Sequence, residues 1–243
     1  MKKVVWILVL LIFISCDKEC DEPLGNLITK EFTLENFDKI IVLTGVELTI
    51  EEGTARTVVV KTGTNRMDNV HVTVADGILE ISADGSCSLR PSYESVKIHV
   101  TTPTLTVLRN SSEYTITSKG ILTFPTLQLL TENHESSYVN LGDFNLKIKN
   151  NKIAIKSNGL SRIHIEGTTN TLNLGYFSGV GKFEGKDLIA KDIAFFHRGN
   201  NKLEINPQES LTGELYGTGD VISYNHPDSV TVQNYYTGKL VFK

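Results

Sequence analysis

The sequence lacks several features that would assign a function directly. It contains 3 cysteines in 243 residues, too few for a disulfide-dense scaffold. Its formal net charge is −4, so the basic excess that favours nucleic-acid binding is missing, and we expect no nucleic-acid partner. Helical periodicity is almost absent. What remains is 40% hydrophobic and 21% charged residues, which is ordinary globular composition.

Motifs that carry chemistry are missing as well. The sequence contains no phosphate-binding P-loop, no His-Glu-x-x-His and no Cys-x-x-Cys. The segment Gly175–Gly179 does not have the spacing of a serine nucleophile elbow. The six histidines share no common spacing. We therefore expect no enzymatic activity, no metal site and no cofactor.

The N-terminus has the pattern of a targeting segment. Lys2 and Lys3 precede an apolar run from Val4 to Ile14, which is shorter than the roughly 20 residues of a membrane-spanning helix. The run ends in Ser15-Cys16, which resembles the lipobox of bacterial lipoproteins. We predict a lipoprotein signal peptide over residues 1–15 and lipidation of Cys16, which would anchor the protein to the outer membrane of the cell envelope. A plain secretory signal is the alternative.

An acidic stretch follows the predicted lipidation site. Residues 16–31 are predicted to form a solvated tether in front of one domain over residues 32–243. Cys20 in the tether and Cys87 in the domain could form a disulfide in an oxidising compartment. Two unpaired thiols are equally compatible with the sequence.

Short β-rich runs separated by turn residues fill the rest of the chain. Val70, Val72 and Val74 alternate with polar residues before Asp76-Gly77, which predicts a hairpin with a tight turn. The C-terminal half contains a repeat, because glycines recur at spacings of 20, 20, 20 and 19 residues: Gly159, Gly179, Gly199, Gly219 and Gly238. A period near 20 with strands and glycine turns is typical of a stacked solenoid. An antiparallel sandwich is the alternative.

Other positions keep the spacing of the glycines. Ile163, Phe183 and Leu203 are predicted to point into the core, because side chains alternate between the two faces of a strand. Their neighbours would then form an exposed charged surface, which we call the contact face: Arg162, His164, Lys182, Glu184, Lys202 and Glu204. An aromatic series also holds the spacing and is interpreted as an internal stack, with a sugar-binding platform as the alternative: Tyr176, Phe196, Tyr216 and Tyr235.

Several segments taken in order resemble a known family. The opening Phe37–Val42, the hairpin Asp76–Ile81 and the turns Ser157–Ser161, Phe177–Gly181 and Tyr216–Val221 resemble the family described as putative auto-transporter adhesin, head GIN domain. The resemblance implies an all-β fold, a right-handed parallel β-helix with coils of about 20 residues, on cell envelopes of the Bacteroidetes type. It brings no catalytic residues with it.

These observations together predict a non-enzymatic envelope lipoprotein. It would act as an adhesin or surface scaffold through a repetitive face, with the membrane as one partner and a surface protein or glycan as another. The alternative is a glycan-binding or glycan-cleaving β-helix. Cleavage would need carboxylates gathered in one groove, and the candidates for this role are Glu184, Asp187, Asp192 and Glu204.

Overall fold

The computed structural model describes residues 24–84, 95–133 and 138–243. Within these ranges the chain forms one short 3-10 helix, Thr64–Asn69, and 17 strands. The strands are β1 (Leu27–Thr33), β2 (Lys39–Val42), β3 (Val46–Glu52), β4 (Thr57–Gly63), β5 (Val70–Ala75), β6 (Ile78–Ala83), β7 (Val96–Thr102), β8 (Val107–Asn110), β9 (Ile116–Leu122), β10 (Thr126–Thr131), β11 (Phe144–Ser157), β12 (Arg162–Tyr176), β13 (Lys182–His197), β14 (Leu203–Leu215), β15 (Val221–Ser223), β16 (Ser229–Asn234) and β17 (Leu240–Phe242). No helix among the described residues is both long and apolar enough to cross a membrane.

All 17 strands belong to one sheet that contains two parallel ladders. The first ladder stacks β6, β2, β8, β10, the C-terminal halves of β11 to β14, and β16. The second ladder stacks β7, β3, β9, the N-terminal halves of β11 to β14, and then β15 and β17. The four long strands therefore pass from the second ladder into the first.

The register of the ladders follows the repeat of the sequence. Ile163 lies opposite Phe183, which lies opposite Leu203, and all three side chains are fully buried. The predicted inward column is confirmed. Hydrophobic residues at alternate positions reach the interior from both ladders, because successive side chains in a strand point to opposite faces.

Both ladders share one hydrophobic core, which extends from Phe37 near the start of the fold to Val221 near its end. The sheet is curled into a half-barrel around it. The all-β class is confirmed. The winding of a right-handed parallel β-helix stays a prediction.

The N-terminal part of the stack is not in chain order. Strands β2 and β3 lie between β6 and β7 on one side and β8 and β9 on the other. Parallel stacking therefore also includes the N-terminal part of the chain, from β2 onward. The outer edges of β6 and β7 are paired antiparallel with β5 and β4, and β4 also pairs antiparallel with β1.

Two local predictions can be compared directly with this region. The hairpin of β5 and β6 is confirmed: Ala75 lies opposite Ile78, and Asp76 and Gly77 both have the positive φ that a tight turn requires. The predicted tether is too long, because β1 pairs with β4 from Leu27 onward. Residues 27–31 thus belong to the sheet, although all five are exposed.

Three predictions concern residues outside the described ranges. They are the signal peptide over residues 1–15, the lipidation of Cys16 and the disulfide between Cys20 and Cys87. These stay predictions.

Candidate functional site

The contact face lies on the outside of the second ladder and is organised around one carboxylate. Arg162 Nε is 3.0 Å from Glu184 Oε2, and His164 Nδ1 is 3.8 Å from the same oxygen. Lys182 forms a salt bridge with the other carboxylate oxygen, Oε1. Four of the six predicted residues therefore meet in one cluster.

The other two residues of the contact face form a second pair. Lys202 Nζ lies 2.6 Å from Glu204 Oε1, and the Tyr224 hydroxyl donates to the same oxygen at 3.3 Å. Lys202 and Glu204 lie two residues apart on one strand and so share a face, which makes this an ion pair within a strand and not between strands. Lys182 and Glu184 repeat this arrangement. Arg162 and His164 reach across strands to Glu184.

Solvent reaches mainly the lysines and Arg162 of the contact face. Burial raises the pKa of Glu184, but the hydrogen bond from Lys182 and the charge of Arg162 outweigh it, so the pKa is lowered. The hydrogen bond to Glu204 raises the pKa of Lys202. Glu184 is thus ionised at neutral pH. The side chains of Glu184 and Glu204 are mostly covered, whereas the Arg162 side chain is 58% exposed. The cluster can offer cations to an anionic partner.

The carboxylates proposed for glycan cleavage are not gathered in one groove. Glu184 and Glu204 lie on the second ladder, whereas Asp192 lies on the first and accepts a hydrogen bond from Ser210 Oγ. Asp187 is 3.9 Å from Lys186 on the exposed stretch between the ladders. Among the described residues, no group of three His, Cys, Asp or Glu side chains could hold a metal ion.

The aromatic series lies on the outer surface, which corrects the interpretation as an internal stack. Phe177, Phe196, Tyr216 and Tyr235 form a column with ring centroids 5.5, 5.2 and 4.4 Å apart. Tyr176, which the spacing suggested as the first member, is fully buried instead. Each ring in the column covers the face of the next. The inner rings, Phe196 and Tyr216, therefore present only their edges to solvent. Because a sugar stacks on the face of an aromatic ring, these two rings offer no free face to a sugar.

A buried polar column, which the sequence did not reveal, lies on the inner side of the first ladder. Thr131, Ser157, Tyr176 and His197 lie opposite one another in successive strands and have 0% exposure. Ser157 Oγ, the Tyr176 hydroxyl and His197 Nδ1 have no hydrogen-bond partner in the described part of the chain. Burial raises the pKa of Tyr176 and lowers the pKa of His197. Both side chains are thus neutral in the folded protein.

A groove of about 470 Å³ lies where the long strands pass from one ladder to the other. We call it the corner groove. Two rows of side chains line it, one from each side of the bend: Lys149, Thr168 and Ile189 in one row, and Asn151, Asn170 and Lys191 in the other. Asn150, Thr169 and Ala190 lie between the rows on the same three strands.

The sequence alone does not reveal the corner groove. Its asparagines are separated by 19 residues, so they follow the repeat, but the spacing does not tell whether a polar residue faces a bend or a flat strand. Among the described residues, no Asp or Glu lines the groove. It can therefore accept anionic or hydroxyl-bearing ligands without charge repulsion.

Comparisons with known proteins give a consistent result. Residues 36–227 match the family model described as putative auto-transporter adhesin, head GIN domain. A putative adhesin from Bacteroides fragilis has a similar crystal structure, with a TM-score of 0.79, 21% identity and coverage of 90% of this chain and 97% of that one.

Two structures from Parabacteroides distasonis are also similar. One is called a putative adhesin, with a TM-score of 0.65, 16% identity and coverage of 90% of this chain and 98% of that one. The other is called a putative lipid binding protein, with a TM-score of 0.60, 15% identity and coverage of 89% and 97%. At these identities the likeness shows the fold alone. A search of curated proteins finds no match to the chain.

Proposed function

Because this chain belongs to the family of putative auto-transporter adhesins with a head GIN domain, we propose that it is a non-enzymatic binding protein of the cell envelope. It is held at the outer membrane by acyl chains on Cys16 and presents the curled sheet to a partner. The observation that carries this proposal is the contact face, where covered carboxylates fix the positions of exposed cations on three successive strands.

Binding would use many weak contacts at fixed spacing. Neighbouring strands are about 4.8 Å apart, so Arg162, Lys182 and Lys202 stand at regular intervals on the second ladder. A partner with a matching repeat gains avidity without any single strong contact. The right-handed β-helix belongs to the same proposal, supported by the parallel pairing of consecutive strands in both ladders.

Localisation is tested by protease treatment of intact cells. We expect the protein to be cleaved on the cell surface, and we expect Cys16→Ala to be released from the membrane. A Cys20→Ala variant is the matched control and should stay anchored. Protection from protease until the outer membrane is opened would contradict a surface adhesin.

The binding role is tested by charge reversal on the contact face. We expect Arg162→Glu together with Lys202→Glu to reduce the attachment of cells to a coated surface by at least tenfold. The variant should still unfold cooperatively, but at a lower temperature, because Glu184 and Glu204 each lose a partner. The control variant, Lys39→Glu together with Lys239→Glu, changes the same number of exposed charges elsewhere and should attach normally. Equal attachment by both variants would remove the contact face from the proposal.

A further inference from the structure

We propose that the corner groove binds an acidic oligosaccharide whose chain runs along the stacking direction of the strands. This rests on the proposed function and names the ligand class of a second surface, separate from the contact face.

The charge of the groove is positive although the whole chain is acidic. Lys149 has no carboxylate within salt-bridge distance in the described part of the chain. Lys191 Nζ is 3.5 Å from Glu209 Oε1, but both side chains are more than half exposed, so an incoming anion can compete for this lysine. Two ammonium groups on opposite rows thus remain for carboxylate or sulfate groups.

The polar groups of the groove match sugar hydroxyls. Thr168 and Asn170 are exposed and line the groove with a hydroxyl and an amide, which can donate to and accept from sugar hydroxyls. Asn170 Nδ2 donates to Asn151 Oδ1 at 3.3 Å, which joins two amides that each carry further donor and acceptor capacity.

The dimensions favour a chain of sugars over a single small anion. Three successive strands supply equivalent positions in both rows of the groove, at about 4.8 Å per strand. This spacing is close to the length of one pyranose residue, so consecutive strands would meet consecutive sugars. Ile189 is 47% exposed and offers an apolar surface to the C–H face of a sugar ring. Because no Asp or Glu of the described ranges lines the groove, the geometry points to binding without cleavage.

The test is calorimetric titration of the full chain, purified in detergent, with two acidic probes. Tetragalacturonate supplies carboxylates, a heparin-derived tetrasaccharide supplies sulfates, and fully methyl-esterified tetragalacturonate is the uncharged control. We expect micromolar to millimolar binding of at least one acidic probe and at least tenfold weaker binding of the ester. The stronger acidic probe identifies the anionic group.

Matched variants locate the site. Lys149→Ala with Lys191→Ala should weaken binding of the acidic probe at least tenfold. Asn151→Ala with Asn170→Ala should also weaken this binding, in a chain whose circular dichroism spectrum is unchanged. Lys39→Ala with Lys239→Ala removes two exposed lysines elsewhere and should bind normally. The proposal is overturned if neither acidic probe binds at millimolar concentration, if the ester binds equally well, or if the lysine variant of the groove retains full affinity.

Attachment assays separate this proposal from the proposed function. If cells lacking the protein attach normally while the purified chain binds the acidic probe, the adhesion role fails and the groove stands. If attachment depends on the protein but the purified chain binds neither acidic probe, the groove fails and the adhesion role stands.

Discussion

At the scale of single residues, two features decide how the interior tolerates change: buried polar groups and glycines in close contact with backbone. His197 is fully buried, and its Nε2 lies 2.9 Å from the carbonyl oxygen of Asn201 while its Nδ1 has no partner in the described structure. Gly167 has a φ of +117°, and a Cβ added there would lie 2.0 Å from the Ile148 carbonyl oxygen. Each feature leads to a measurable consequence.

His197 should make the fold sensitive to mild acid. Burial lowers its pKa from 6.5, so the unfolded chain binds the proton more readily than the folded chain. The stabilising contribution is therefore complete above pH 6.5 and is lost as the pH falls below it. We expect the free energy of unfolding to decrease towards pH 5, with a contribution from His197 of at most about 1.4 kcal/mol per pH unit, the limit for one proton.

Urea denaturation between pH 5 and 8 measures this effect. His197→Leu should flatten the pH dependence, because leucine cannot bind a proton. Leucine should also fit the site, since Leu215 occupies the next position of the same column. His71→Gln is the control, since the His71 side chain is 53% exposed, and it should behave as the parent chain. An unchanged slope in His197→Leu would mean that other groups cause the acid sensitivity.

Gly167→Ala should be much more damaging than Gly120→Ala. Both glycines have positive φ, but no atom lies within 4 Å of a Cβ added at Gly120. The control variant then meets only backbone strain, about 1–2 kcal/mol. At Gly167 the clash with a backbone carbonyl adds to the strain, and we expect a loss of about 3 kcal/mol or more. Urea denaturation of both variants checks the difference; equal losses would contradict the close approach.

At the scale of elements, β8 is attached to the loop after β10 by a buried ion pair. Arg109 is 4% exposed and donates to both the side chain and the carbonyl oxygen of Glu132. Its guanidinium also lies 4.2 Å from the centre of the Tyr138 ring. The pair fixes Glu132 against the first ladder.

Removal of the arginine should be costly. We expect Arg109→Met to destabilise the fold by about 1.5–3 kcal/mol, because the mostly covered Glu132 loses the charged hydrogen bonds from Arg109. The double variant Arg109→Met with Glu132→Gln should recover part of the loss. Lys119→Met, which breaks an exposed pair with Glu51, is the control and should have little effect. A denaturation-based double-mutant cycle measures the coupling, and additivity would show that the pair is not coupled.

The repeat predicts elements well where an apolar residue and a turn recur together. The hairpin at Asp76-Gly77 and the column Ile163, Phe183 and Leu203 follow from alternation and turn chemistry. The aromatic column is harder to predict, because a spacing near 20 residues fits both Tyr176 and Phe177. These two residues are adjacent, and their side chains face opposite ways, Tyr176 inward and Phe177 outward. Spacing alone could not choose between them.

At the scale of the whole molecule, the long strands behave as interchangeable layers. Each of β12 and β13 pairs with its neighbours at a repeat close to 20 residues, and its contacts are mainly with the adjacent layer. Stability in such arrays is close to a sum of layers and their interfaces. A complete period can therefore be removed while the register of the remaining layers is preserved.

Deletion of residues 182–201 should leave a folded chain that is one layer shorter. Leu203 would then lie opposite Ile163, the residue that Phe183 faces in the parent. The control deletion of residues 182–191 breaks the register and should abolish cooperative unfolding. Circular dichroism and urea denaturation distinguish the two, and loss of folding in both would show that the layers are not interchangeable.

The N-terminal order of the stack could not be predicted from the sequence. The repeat indicates that neighbours in the chain become neighbours in the sheet, and this holds from β11 to β14. It fails for β2 and β3, because nothing in the run 39–52 shows that two separate later segments pair with it. The corner groove was missed for a related reason, since it depends on how three strands bend together.

The insertion of β2 and β3 between later segments sets the timing of folding. Lys39 pairs with Val107, 68 residues further along, whereas Ile163 and Phe183 are 20 residues apart. During synthesis, β2 and β3 cannot pair along both edges until β8 and β9 have been made. Closing the longer loop also carries a higher entropic cost. We therefore expect assembly to begin late and then to proceed layer by layer towards the C-terminus. A chain interrupted before residue 122 would expose an unfinished β edge, a state prone to aggregation.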